Sequence, residues 1–119
     1  MDKKIEVMNQ MAKLEEEKDV TQKKKKLWEE YQEHWAYLQR EEQSVLEEVA
    51  FLSHGTVSMN HAAQQLIYFE EEKQAVARTF DSIDEDFEQK EKARYDREDQ
   101  LNTAYYEAKK QEETNDDEV

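Results

Sequence analysis

Proline is absent from this chain, and its 119 residues include a single glycine, Gly55. Both residue types break regular backbone, proline by removing an amide donor and fixing φ, glycine by its conformational freedom. A chain almost free of them can remain helical for long stretches, and Gly55, in "FLSHGTVSMN" near the midpoint, is where it can turn.

The apolar periodicity agrees. From Trp28 the row reads Trp28, Tyr31, Trp35, Leu38, Glu42, Val45, Val49, Leu52, in alternating steps of 3 and 4 with one polar interruption at Glu42. Beyond the glycine it reads Met59, Ala62, Leu66, Phe69, Lys73, Val76, Phe80, Ile83, Phe87, interrupted at Lys73. Such heptad rows, unbroken by proline, belong to long bundle or coiled-coil helices. The expected fold is all-α: an antiparallel helical hairpin over residues 1–112, with helices near 3–53 and 58–112 and a turn at 54–57. At ~1.5 Å per residue each helix spans roughly 75–80 Å. Gly55 supplies the positive φ on which many helices end, and Ser58, or alternatively Thr56, is the expected N-cap of the second helix. The tail from 113 to 119, "ETNDDEV", is expected to be disordered.

Folding back about Gly55 pairs positions whose numbers sum to about 111. Trp28 then faces Ile83, Tyr31 faces Phe80, Trp35 faces Val76, Val45 faces Leu66 and Val49 faces Ala62. The basic run Lys23–Lys26 falls opposite "EDFE" at 85–88, and farther out Ile5, Met8 and Ala12 meet Leu101, Tyr105 and Ala108. One opposing helix cannot cover Trp28, Tyr31, Trp35 and Phe80 together, and Leu27, Tyr37, Leu46, Phe51, Ala63, Ile67 and Ala77 widen the apolar band. That width suits a bundle of three or more helices, so a helical partner or a second copy is expected.

Lys, Arg, Asp and Glu make 40% of the chain and the net charge is −14, which opposes nucleic-acid binding. The basic excess is confined to residues 1–26, with eight lysines against six acids. Without cysteine there is no disulfide or thiolate metal site. No apolar run approaches the ~18 residues of a membrane span, and the N-terminus has no apolar signal core. The expected location is cytoplasmic, with any export proceeding without a cleaved signal peptide. One glycine excludes a phosphate-cradling loop. His34, His54 and His61 are preceded three residues earlier by Tyr31, Phe51 and Ser58, so the Glu-x-x-His motif of bundle metal sites is missing. The expectation is a non-enzymatic protein without metal or cofactor.

With "LSHG" at its turn, Gly55 kept and no Trp before it, the chain resembles the small helical partners of LXG toxins in Gram-positive type VII (ESX-type) secretion, distant relatives of the Trp-x-Gly small secreted proteins. The resemblance covers the whole chain and rests on architecture and general character. It implies a targeting factor that binds the helical N-terminal domain of a toxin, alone or with a second small helical protein, and helps present it for export. It also implies an export signal in which an aromatic residue precedes an acid by four positions, on one helical face. Phe80-x-x-x-Asp84 and Tyr95-x-x-x-Asp99 both match. Five of the ten Phe and Tyr residues have an acid at that spacing, but only these two have Asp. The alternatives are a homodimeric four-helix-bundle module and a chaperone-like coiled coil.

Overall fold

The computed structural model describes residues 2–117. The chain is an all-α antiparallel hairpin of two helices, α1 (Lys3–Leu52) and α2 (Met59–Asp117), with no strand among the described residues. α2 runs five residues past the expected boundary at 112, to Asp117. No proline or glycine stops it there, and the Thr114 hydroxyl donates back to the Lys110 carbonyl at 2.9 Å, a mid-helix arrangement. Residues 118 and 119 of the expected tail lie outside the described residues.

The turn occupies residues 53–58, slightly wider than expected. The Ser53 N–H still donates to the Val49 carbonyl at 2.9 Å, and the Thr56 N–H then donates to the Ser53 carbonyl at 3.0 Å. Gly55 is the third residue of the four-residue turn so closed, with φ of +79°. No other described residue has positive φ. Ser58 holds the N-cap backbone position, its carbonyl accepting from the Ala62 N–H at 3.0 Å. The hydroxyl that ties the turn together is Thr56's, which accepts from the Ser58 N–H at 3.2 Å and donates to the Ser53 carbonyl at 2.6 Å.

The contacts divide the chain into two units. The turn unit is Lys26–Glu85; the terminal unit joins Met1–Lys25 to Asp86–Val119. In the turn unit, α2 presents the expected row: Ala62 and Phe69 are buried, and Leu66, Lys73, Val76, Phe80 and Ile83 are half-buried. The Lys73 stem stays in the row, as a long aliphatic chain with a solvated head can. On α1 the expectation holds at Trp28 and Trp35 and fails at the other positions of the row. The covered positions are Trp28, Gln32, Trp35, Gln39, Gln43, Leu46 and Ala50, while Tyr31, Leu38, Val45, Val49 and Leu52 are exposed. Glu42, the supposed interruption, is also exposed, and Gln43 takes its place.

The cause is a polar clasp. The Trp28 indole N–H donates to Asp84 Oδ1 at 2.7 Å, and Gln32 Nε2 donates to Asp84 Oδ2 at 3.2 Å. With 28 and 32 both turned toward α2, the helical period brings 35 and 39 to the same side and carries 31 and 38 off it. Hydrogen bonds to a charged acceptor contribute ~1.5–3 kcal/mol each, enough to outweigh part of the burial available to an aliphatic row.

In the terminal unit the core is Val7, Leu14 and Leu101, flanked by Met11, Ala104 and Tyr105. Ala108 is buried as expected, but Val7 and Met11 replace Met8 and Ala12 on the α1 side, and Ile5 and Met8 are exposed. The basic run engages α2 beyond the expected "EDFE": Lys25 Nζ lies 3.1 Å from Glu91 Oε1. Lys4–Glu112 at 3.4 Å and Arg97–Glu17 at 4.0 Å add exposed pairs worth ~0–1 kcal/mol each.

Two predictions test this architecture by urea unfolding of the full chain. Nothing lies within 4 Å of a Cβ built on Gly55, so Gly55→Ala should cost only backbone strain, about 1–2 kcal/mol, and Gly55→Asn less. An unchanged midpoint for Gly55→Ala would mean the positive φ is not held. Gln39→Leu should stabilise the free chain by about 1 kcal/mol, whereas Leu38→Gln should change it little. The opposite ranking would restore the Leu38 row to the interface.

Candidate functional site

The predicted site residues of the turn unit separate into two groups. Trp28, Trp35, Leu66, Phe69, Val76, Phe80 and Ile83 hold the two helices together. Phe80 is the hub: its ring meets Trp28 edge-on at 4.9 Å, Tyr31 at 6.1 Å and Trp35 at 6.2 Å. Edge-to-face pairs of this kind contribute ~0.5–1.5 kcal/mol beyond burial. Tyr31 joins through its ring, stacked 5.7 Å from Trp28 and 6.4 Å from Trp35, although half of the residue remains exposed.

The second group is the displaced row. Leu27, Tyr31, Leu38, Val45, Val49 and Leu52 lie at steps of 4, 7, 7, 4 and 3 along α1 and so share one face. Their exposure runs from 44% at Val49 to 69% at Leu52. From 27 to 52 this stripe covers about 37 Å of helix at ~1.5 Å per residue. A stripe this long and narrow has the dimensions that one face of a second helix would cover. Glu30, Glu41, Glu42 and Glu48 accompany it on α1, and the whole turn unit carries 13 acids against four Lys and Arg.

The two aromatic-x-x-x-Asp pairs have different surroundings. Phe80 and Asp84 are engaged within the hairpin, the ring in the aromatic cluster and the carboxylate in the clasp. Tyr95 is 56% exposed and Asp99 is exposed, and the Arg94 guanidinium stands 5.0 Å from the Tyr95 ring centroid. Cation–π contact of this kind favours an ordered ring. The pairs also belong to different units, Phe80 and Asp84 to the turn unit and Tyr95 and Asp99 to the terminal unit.

Among the described residues no group of three or more His, Asp and Glu side chains is arranged to hold a metal ion, and no helix is long and apolar enough to cross a membrane. No protein-family model matches the chain, and no curated protein and no solved structure is significantly similar to it.

Three features escaped the apolar pattern. Gln32, Gln39 and Gln43 form an uncharged polar column on the covered face, a visible signal in a chain with 40% charged residues. Asp84 stands out in the sequence by its spacing from Phe80, whereas its partners Trp28 and Gln32 lie on α1, more than 50 positions away. Arg94 is 9% exposed and interrupts a row, Phe87, Arg94, Leu101 and Ala108, whose members are seven residues apart.

Asp84→Ala should lower stability by about 1–3 kcal/mol, because it leaves the half-buried indole N–H of Trp28 without its acceptor. Asp99→Ala should stay within about 0.5 kcal/mol of the parent. Urea titration followed by Trp emission distinguishes them, and equal midpoints would remove the clasp from the account.

Proposed function

We propose that this protein is a non-enzymatic targeting factor: a helical hairpin that docks onto the helical N-terminal domain of an LXG-class type VII secretion toxin and helps present it for export. The observation that carries the docking part is the exposed stripe from Leu27 to Leu52. A hairpin that leaves six large apolar side chains of one helical face in water gains by covering them, at ~25 cal/mol per Å² of apolar surface. Charge complementarity favours a different chain over a second copy. With 13 acids in the turn unit, apposed identical units would repel, whereas a helix flanked by Lys and Arg would be attracted. The toxin assignment itself rests on the resemblance in architecture. Within it, Tyr95 and Asp99 are the better candidates for an export signal read by the secretion machinery, because both are exposed while Phe80 and Asp84 are engaged in the hairpin.

The test is co-expression with the N-terminal domain of an LXG toxin encoded beside this gene, followed by size exclusion with light scattering. A stable complex is expected, and Val45→Glu should abolish it while leaving the helicity of the free hairpin unchanged. Toxin export should be lost when the gene is deleted and when Asp99→Ala replaces it. A self-sufficient homodimer that ignores the toxin domain, or undiminished export in the deletion strain, overturns this reading.

A further inference from the structure

The terminal unit contains a charged group that stands beside the Tyr95 ring but has two donors without a hydrogen-bond acceptor. Arg94 is only 9% exposed, yet its Nε and Nη1 atoms are buried without a hydrogen-bond partner. A buried donor on a charged group is costly unless an acceptor reaches it. Arg94 lines a groove of about 790 Å³ between α1 and α2. Lys13, Lys24, Lys90 and Arg97 line the same groove, so with Arg94 five cations face two carboxylates, Glu16 and Glu17. The local balance is +3 in a chain of net charge −14. Glu17 lies 4.0 Å from Arg97, at the limit of an ion pair. Leu14, Val20 and Ala93 provide apolar lining.

We infer that this groove is a docking site for an acidic amphipathic helix, whose carboxylate side chain pairs with the guanidinium of Arg94. The site does not depend on the toxin reading, since it lies in the terminal unit and the apolar stripe lies in the turn unit. Three properties select a helix over a small free anion. The α1 wall from Lys13 to Lys24 extends about 17 Å at ~1.5 Å per residue, three turns of helix. The lining combines three apolar side chains with five cationic ones spread over both helices, which suits an amphipathic face and exceeds what one ion can contact. The planar guanidinium fork accepts a carboxylate through two parallel hydrogen bonds, which fixes orientation as well as charge.

The experiment uses the full chain and two three-heptad helical peptides, identical except for Glu or Gln at the positions facing Arg94. Binding is read by fluorescence anisotropy, and the Arg Nε–H resonances by NMR. The Glu peptide should bind about ten-fold or more tightly than the Gln peptide, the range expected of a charge-assisted hydrogen bond. Arg94→Gln should erase that preference and Arg94→Lys should retain only part of it, whereas Arg97→Gln should keep it. Glu17→Gln should strengthen Glu-peptide binding by removing a competing carboxylate. Circular dichroism should show that all variants remain helical, and should Arg94→Gln lose helicity, Arg94→Lys and Glu17→Gln decide the matter. Equal binding of the two peptides, failure of both to bind, or a preference that survives Arg94→Gln overturns the inference. So does inorganic phosphate that shifts the Arg94 resonance and displaces the peptide at equal concentration, since the groove would then be a free-anion site.

Discussion

The carboxylate of Asp84 decides which side of α1 meets α2. It accepts from the indole of Trp28 and the amide of Gln32, one helical turn apart on α1, and so fixes the rotation of that helix about its own axis. The clasp sits beside the Phe80 aromatic cluster, so polar and apolar determinants meet at the same level of the hairpin. Once the rotation is set, Gln39, Gln43, Leu46 and Ala50 follow onto the covered face, and Tyr31, Leu38, Val45, Val49 and Leu52 are carried outward. The interface so formed is polar for part of its length, and the more hydrophobic row stays exposed. A helix pair optimised only for its own stability would have the reverse arrangement.

Much of the fold was legible because the backbone signals are local. The absence of proline, the lone Gly55 and the heptad steps locate both helices and the turn to within about one residue at the hairpin end, within the usual uncertainty of helix boundaries. The α2 row was legible as well, since its apolar spacing and its covered face coincide from Ala62 to Phe87. What did not show was rotation. Periodicity finds the apolar stripe of a helix but does not say whether that stripe faces the nearest neighbour or a missing one. On α1 the two differ by a single residue, and the decisive contact joins residues 56 positions apart. The end of α2 lies beyond the expected 112 because the chain there has no residue that breaks a helix.

The two units solve different problems. The turn unit has a strong aromatic cluster and surplus apolar surface. The terminal unit has a small aliphatic core around Leu14 and Leu101 and places an arginine where the repeat of seven calls for an apolar side chain. Replacing a buried charge with a hydrophobe is often neutral or stabilising, so an arginine at such a position gains little as a structural element and much as a recognition element. Surplus apolar surface on the turn unit and a locally cationic groove lining in the otherwise acidic terminal unit are both features that an isolated hairpin does not need.

The glutamine column has a consequence for turnover. Beyond the clasp donor Gln32, two amides, Gln39 and Gln43, occupy covered positions where an aliphatic side chain would add apolar burial, which makes the free-energy well of the solitary hairpin shallower, and proteases act on the fraction that opens. Any ligand that recognises only the closed hairpin deepens the well by RT ln(1 + [L]/Kd), about 2.7 kcal/mol at a hundredfold excess over Kd. A partner of the kind proposed above would thereby couple the lifetime of the chain to its own supply, and copies made in excess of it would be the ones exposed to proteolysis.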